Sequence, residues 1–195
     1  MKRPIELQTG DIYHACNKSI YGYVIFNTPE EYERMRQLAG YYQWDMPISF
    51  THFKDDVLPQ HRDLACALET KRPARIQKRV DIIAYCFMPT HIHFVLRQLC
   101  GHGIAAFMKD IQSGYSQFFN RRHNRRGPLW QGRFGNGNHL DSPEKLLEKV
   151  AYVHNNPVKD LGYASPGDWP YSSLTSPLPG CGEVYGPKFN DDVQK

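Results

Sequence analysis

The chain has 195 residues, of which 41% are hydrophobic. That supplies the core of one domain with modest additions, whereas two full domains would be cramped. The formal net charge of +4 indicates little by itself, because many proteins that never contact nucleic acid share such a balance. No stretch approaches the roughly 18 apolar residues of a membrane span, and residues 1–6 lack the apolar run of a signal peptide. We therefore expect a cytoplasmic protein without a membrane partner.

The cysteines are odd in number and widely spread along the chain: Cys16, Cys66, Cys86, Cys100 and Cys181. No Cys-x-x-Cys pair occurs among them, so the spacing indicates neither a zinc knuckle nor a redox motif. We interpret them as reduced thiols, as expected in the cytoplasm.

The first part of the chain predicts a strand, a helix and a less regular segment. Aromatic and β-branched residues dominate 11–26, which favours a strand near its start. Thr28 and Glu31 complete a capping box, and Pro29 suits the first helical position, so a helix is predicted to reach about Tyr42. From about 45 to 79 the pattern weakens, apart from a short helix over 60–70, and we interpret this segment as an insert.

Two apolar runs, Val80–Met88 and His91–Arg97, predict a β-hairpin of central strands because only Pro89 and Thr90 separate them. The segment 103–120 then predicts a helix, since its apolar residues recur at the spacing of one buried stripe. The members of that stripe are Ile104, Phe107, Met108, Ile111, Tyr115 and Phe118.

The last part of the chain predicts a basic turn over 120–127, a strand around Leu129–Phe134 and a final helix. Ser142 caps that helix, and Asn156-Pro157 ends it, because proline disfavours a helical residue before it. The order of elements predicts an α+β fold: an antiparallel or mixed sheet with helices covering one face, with the insert before the central hairpin. A ferredoxin-like layout is the natural arrangement. We expect one domain over 1–175, followed by a tail over 176–195.

His91 and His93 are candidate metal ligands. Residues i and i+2 of a strand point to the same face, about 7 Å apart, so both imidazoles can reach one ion. Two protein ligands would leave coordination positions open, as a catalytic metal requires. The alternative is an ordinary pair of partly buried histidines, and the motif alone favours that alternative.

Two tyrosines, Tyr115 and Tyr152, are candidate nucleophiles, and helical geometry separates them. Tyr115 belongs to the buried stripe, so a core role is favoured. The stripe of the last helix is formed by Leu146, Leu147, Val150 and, at its edge, Val153. Tyr152 falls near the opposite side, and Asn156 emerges beside it four residues later. A nucleophile and a metal ligand could share that face; equally, Asn156 could simply end the helix beside a solvated tyrosine.

Positive charge and aromatic residues coincide between residues 109 and 134, where Asp110 is the only acid up to Arg133. Such a mixture suits phosphates and unpaired bases, so we predict a single-stranded nucleic-acid surface, although basic runs are usually only solvated faces. The predicted DNA-binding residues are Lys109, Arg121, Arg122, Arg125, Arg126, Trp130 and Arg133.

The chain resembles the single-tyrosine HUH transposases, especially the REP-associated tyrosine transposases and their insertion-sequence relatives. The resemblance spans most of 11–174. Four stretches carry it: YCFMPTHIH at 85–93, Tyr115 to Asn120 with the basic turn that follows, GPLWQGRF at 127–134, and YVHNNPV at 152–158. YHACNK at 13–18 and WPYSS at 169–173 resemble the family's ends.

The resemblance implies a ferredoxin-like fold in which His91 and His93 match the HUH metal ligands. It implies that Tyr152 is the nucleophile and Asn156 the polar ligand one helical turn later. The cofactor would be a divalent metal, Mg²⁺ or Mn²⁺, without any nucleotide cofactor.

Our hypothesis is therefore a metal-dependent transposase that nicks and joins single-stranded or hairpin DNA through a 5′-phosphotyrosine on Tyr152. It would act as a monomer or a homodimer. The alternative is a non-catalytic, domesticated protein that only recognises hairpin DNA. A metalloprotein with His91 and His93 in a small-molecule site ranks last.

Overall fold

The computed structural model describes residues 6–73 and 75–178, with the backbone but not the side chains of 136–138. Four strands form one sheet in the order β2-β3-β1-β4, and every neighbouring pair is antiparallel. The strands are β1 (Ile12–Lys18), β2 (Val80–Met88), β3 (His91–Gln98) and β4 (Gly135–His139).

Within the residues that the structure describes, five α-helices accompany the sheet, two of them in the segment predicted as an insert. They are α1 (Pro29–Tyr42), α2 (Phe50–His52), α3 (Leu64–Lys71), α4 (Gly103–Arg122) and α5 (Pro143–Leu161). The α+β class is thus confirmed, and its main elements follow the order strand, helix, strand, strand, helix, strand before α5. None of the described helices combines the length and apolar character that crossing a membrane requires.

The main core lies between the sheet and the helices α1 and α4. Phe94 of β3 packs edge-on against Phe107 of α4, with ring centroids 5.4 Å apart. The two helices approach closely, because a Cβ added to Gly114 would lie 2.9 Å from a methyl group of Leu38. Glycine at this contact therefore sets the distance between α1 and α4.

The opposite face of the sheet is covered by α5, so helices lie on both faces rather than on one. Val153 of α5 is buried, and the helix contacts β2 and β3. The segment after α5 runs along the outer edge of β2, where the backbone N–H of Phe87 donates to Tyr171 and that of Ser173 donates to Tyr85. An otherwise unpaired strand edge is thus covered by the chain's own backbone.

The segment predicted as an insert begins and ends at adjacent points of the structure. Trp44 and Lys78 form an isolated antiparallel bridge, and the backbone N–H of Asp45 donates to Gln77 at 3.0 Å. Inside the insert, Phe50 and Phe53 are buried, with ring centroids 5.3 and 4.8 Å from that of Tyr41 in α1. The predicted short helix is present as α3.

The strand predicted around Leu129–Phe134 is misplaced, because β4 begins only at Gly135. The predicted range forms one isolated antiparallel bridge, between Trp130 and Ser19 at the end of β1. Gly132 has φ +73°, a left-handed conformation that no regular strand contains. The aromatic residues on either side of it, Trp130 and Phe134, enter the core from a loop instead and are both buried. Their apolar character was therefore a signal of burial, not of strand.

The prediction that Asn156-Pro157 ends the last helix is wrong, since α5 continues to Leu161 and stops at Gly162 in a left-handed cap. Proline inside a helix lacks the N–H that would bond the carbonyl four residues back. The side-chain amide of Asn156 donates to that carbonyl, on Val153, at 3.3 Å and to that of Tyr152 at 2.8 Å. The local side-chain donor lets the helix pass through the proline.

Candidate active site

The antiparallel pairing of β1 with β3 places two histidines on the face covered by α5. His91 is paired with Lys18, and His93 with Cys16. The rings of His91 and His93 meet edge-on with centroids 5.0 Å apart, as expected for residues i and i+2 of one strand. His91 is partly accessible, whereas His93 is buried.

A third histidine, His14 of β1, completes this cluster. Its Nε2 lies 2.9 Å from Nδ1 of His93, so the two buried rings share one proton in a hydrogen bond. Burial and, to a smaller extent, the charge of Lys149 lower the pKa of His14 to about 4. Burial, then His14, His91 and two lysines lower the pKa of His93 to about 2. Both imidazoles are therefore neutral at physiological pH, the form that binds a metal.

Tyr152 reaches the same cluster from α5. Its ring lies edge-on to those of His93 and His14, with centroids 5.9 and 6.1 Å away. The side chain is 42% exposed, so solvent and a substrate both have access to it. The sequence-predicted residues His91, His93 and Tyr152 thus lie together, although the sheet and the helix that carry them are far apart along the chain.

Asn156, the predicted third metal ligand, is buried one helical turn beyond Tyr152. Its amide nitrogen is engaged by the helix carbonyls of Tyr152 and Val153. These two hydrogen bonds fix the orientation of the amide, and they leave its oxygen as the atom that could bind a metal.

Tyr115, the other candidate nucleophile, lies in the core on the opposite face of the sheet. It is fully buried, and its hydroxyl donates to the backbone carbonyl of Ile25. Burial raises the pKa of this phenol far above its ordinary value of 10.0. A phenol that is inaccessible and harder to ionise is not a nucleophile, which supports the core role predicted for Tyr115.

Two lysines give the cluster a positive surrounding. The charges of Lys18 and Lys149 both act on His93. Lys149 lies one helical turn before Tyr152, and its ammonium group is 4.6 Å from the centroid of that ring. Because the nearby imidazoles are neutral, these lysines supply the local charge that would attract a phosphate or stabilise a phenolate.

The predicted DNA-binding residues fall into two regions. Lys109, Trp130 and Arg133 line a groove of about 1450 Å³ between α4 and the loop 128–134. Trp130 is 8% exposed, and its indole N–H donates to the carbonyl of Gln112. Little of this ring is open for a base to stack on, so its main contribution is to the wall of the groove.

The arginines at the end of α4 are partly engaged within the protein. Arg122 pairs with Glu30 at 3.3 Å. Arg125 donates to the side chain of Asn120 and to the carbonyls of Gly127 and Pro128, which fixes the turn. Arg121 and Arg126 are exposed at the same end. The basic turn is therefore a structural element as well as a charged surface.

Three members of the cluster were not predicted from the sequence: His14, Cys16 and Lys149. His14 is 79 residues from the histidine that it contacts, so no local spacing connects the two. Cys16 follows two residues later on the same face of β1. Lys149 was detectable, because it lies three residues before Tyr152 on a predicted helix.

A comparison with solved structures finds the same fold in a REP-associated tyrosine transposase bound to a REP hairpin. The TM-score is 0.53 at 15% sequence identity, and the match covers 95% of this chain and 93% of the other. At this level of identity, the match defines a class by fold alone: the α+β proteins that share this arrangement of sheet and helices.

Sequence comparison specifies the family within that class. The family model described as "Transposase IS200 like" matches residues 51–156, more than half of the chain. This chain therefore belongs to the IS200-like transposase family. It is also 34% identical over 106 residues to a Haemophilus influenzae protein described as a REP-associated tyrosine transposase. That match covers 48% of this chain and 58% of the relative, so the chain matches little more than half of the relative's length.

Proposed function

We propose that this protein is a metal-dependent single-stranded DNA endonuclease and strand transferase whose nucleophile is Tyr152. One observation carries the proposal: an exposed tyrosine stands within 6 Å, between ring centroids, of a buried and neutral histidine that belongs to a cluster. The chain's membership in the IS200-like family gives this arrangement its chemical context.

The reaction would be a transesterification. The hydroxyl oxygen of Tyr152 would attack the phosphorus of one phosphodiester, and the bond from phosphorus to the 3′ oxygen would break. The products are a 5′-phosphotyrosyl enzyme and a strand ending in a 3′-hydroxyl. The phenol's proton leaves to solvent, which reaches the exposed ring, and the departing 3′ oxygen takes up a proton from solvent. Because one phosphoester replaces another, the reverse step can join a new 3′-hydroxyl without a nucleotide cofactor.

His91, His93 and Asn156 would hold the divalent ion, Mg²⁺ or Mn²⁺. The residues fit this role in two respects: the imidazoles are neutral, and the amide of Asn156 has its oxygen left for coordination. When bound, the ion would polarise the scissile phosphate. The ammonium group of Lys149, which already contacts the ring of Tyr152, would stabilise the negative charge that develops on the phenol oxygen as its proton leaves.

Hairpin or single-stranded DNA is the proposed substrate. The solved relative is bound to a REP hairpin, and the groove between α4 and the loop 128–134 offers Lys109 and Arg133 at its wall. Each phosphate neutralised by such a residue adds to the affinity and to its salt dependence. The exposed Arg121 and Arg126 are proposed to extend this surface at the end of α4.

A covalent-adduct assay tests the proposal. The protein is incubated with labelled single-stranded DNA and Mn²⁺, using hairpins from the DNA that flanks the gene, and is then denatured and separated by size. We expect a labelled protein band with the native chain and none with Tyr152→Phe. Tyr163→Phe is the matched control, because it removes another partly exposed hydroxyl, 36% exposed, near the end of α5.

Two results would contradict the proposal. An adduct that persists in Tyr152→Phe would place the nucleophile elsewhere. Salt-dependent hairpin binding that is unchanged by a chelator, with no adduct in either metal, would instead favour the non-catalytic hairpin-binding protein.

A further inference from the structure

His93, a proposed ligand of the catalytic ion, also belongs to a second group of donor atoms, whose other two members the proposed reaction does not use. Nε2 of His14, Sγ of Cys16 and a ring nitrogen of His93 all lie within 4.8 Å of one another. Among the residues whose side chains the structure describes, this is the one such group of three or more histidines, cysteines and acids. The three residues come from the paired strands β1 and β3, which hold them rigidly.

The distances suit a tetrahedral ion. Zinc–nitrogen and zinc–sulfur bonds of about 2.0 and 2.3 Å separate two nitrogens by roughly 3.3 Å and a nitrogen from a sulfur by roughly 3.6 Å. His14 and His93 are now 2.9 Å apart because they share a proton. An ion that replaces this proton would require the rings to separate by only a few tenths of an ångström, with a modest approach by the thiol.

The donor set also differs in kind from the ligands proposed for catalysis. Mg²⁺ prefers oxygen ligands, whereas thiolate together with imidazole selects zinc and similar ions. The positive charge of Lys149 acts on Cys16 and on both histidines, and it would repel a cation bound there. The thiolate, the one negatively charged ligand of the three, offsets this repulsion. Gly135 of β4 lies opposite Cys16, where an added Cβ would lie 3.6 Å from the sulfur, so glycine at this position leaves the thiol uncovered by a side chain of its own.

We propose that His14, Cys16 and His93 form a binding site for a thiophilic divalent ion, of which Zn²⁺ is the representative. Three protein ligands leave a fourth position for water or another donor. The thiol proton of Cys16 would be released to solvent on binding. The proton between the two rings would move to the ring nitrogen that does not bind the ion, so both imidazoles would stay neutral. Because the site uses His93, the thiophilic ion and the ion of the proposed reaction would compete for this residue.

The binding itself does not depend on the proposed function and is tested without DNA. The purified chain, freed of metal, is titrated with Co²⁺, a spectroscopic substitute for Zn²⁺. We expect a thiolate-to-cobalt charge-transfer band in the near ultraviolet, saturating at one ion per chain and abolished by one equivalent of Zn²⁺. A large excess of Mg²⁺ is expected to leave the band unchanged.

Cysteine variants test which thiol supplies the sulfur ligand. Cys16→Ser should lose the band, while Cys66→Ser, which alters a thiol of the insert, should retain it. Circular dichroism of Cys16→Ser checks that the chain is folded. A band that persists in folded Cys16→Ser, a band that is absent from the native chain, or displacement by Mg²⁺ would each overturn the proposal. Failure of the adduct assay would leave this result untouched, so the two proposals fail separately.

Discussion

The two faces of the sheet treat the same types of residue in opposite ways. On the face beneath α1 and α4, Tyr115 is fully buried, and its hydroxyl donates a hydrogen bond to a backbone carbonyl. On the face beneath α5, Tyr152 is 42% exposed and stands at the edge of the histidine cluster. One face stabilises the fold, and the other presents reactive groups.

This difference teaches that burial alone does not separate structural from reactive groups. His93 is as deeply buried as many core residues, yet its neighbours are two histidines, a thiol and an exposed phenol. Changes on the core face should therefore alter stability and leave the chemistry intact, and changes on the other face should do the reverse. The predictions below test this division.

The largest effect is expected from Gly103→Ala at the start of α4. A Cβ at this position would lie 2.3 Å from the backbone oxygen of Arg79, so the backbone itself must shift. We expect destabilisation of about 3 kcal/mol, the upper part of the usual range for overpacking. Urea denaturation measures it, with Gly101→Ala as the control because nothing lies within 4 Å of an added Cβ there. Equal stability of the two variants would show that this contact is not tight.

The next largest loss of stability is expected from Glu31→Gln. Burial alone would raise the pKa of Glu31, but hydrogen bonds from Asn27 and His123 outweigh it and lower the pKa below 4.5. A carboxylate with a lowered folded-state pKa stabilises the fold above its ordinary pKa and loses that contribution as the pH falls. We expect a loss of roughly 2–3 kcal/mol at neutral pH.

The pH dependence gives the sharper measurement for Glu31. The difference in melting temperature between the native chain and Glu31→Gln should shrink as the pH falls below 4.5. Glu30→Gln is the control, because that side chain is 70% exposed and pairs only at the surface with Arg122. A difference that stays constant down to acid pH would mean that the charge of Glu31 contributes nothing.

Tyr115→Phe should have a smaller effect on stability. It leaves the buried carbonyl of Ile25 without its donor, which costs about 1–2 kcal/mol. The covalent adduct with DNA should still form, since the phenol lies on the core face. An unchanged melting temperature together with a lost adduct would reverse the roles of the two faces.

The smallest change in free energy is expected from Lys149→Met. It removes the charge 4.6 Å from the ring of Tyr152 but keeps much of the chain length of the side chain. Adduct formation should slow by about tenfold, or about 1.4 kcal/mol in the barrier, with the melting temperature unchanged. Lys145→Met is the matched control, because Lys145 lies on the same helix but pairs with the exposed Asp141. Equal rates in the two variants would remove Lys149 from the reaction.

Local signals in the sequence were sufficient for most elements of the fold. The capping box of Thr28 and Glu31 and the hairpin around Pro89 are present as predicted, because each depends on residues close together in the chain. The end of α5 was not predictable from proline alone, since Asn156 supplies the donor that Pro157 lacks. The stripe of α5 was also partly wrong: Leu147 is 38% exposed rather than in the core.

The candidate site was predictable only in part. His91, His93 and Tyr152 could be selected because each pattern is local to a strand or a helix. His14 and Cys16 join them only through the register of β1 against β3. His14 and His93 are 79 residues apart, and no periodic pattern in the sequence indicates how two such distant strands are paired. The thiol thus became visible as a neighbour of His93 only in three dimensions.

The bridge between Trp44 and Lys78 has a consequence for how this chain can be altered. Because the two ends of the insert are already side by side, a two- to four-residue turn would be enough to reconnect them. We therefore expect that the insert could be shortened, exchanged or used to carry a tag while the sheet keeps its arrangement. Polar replacements would be needed on α1, where Tyr41 would lose the cover of Phe50 and Phe53.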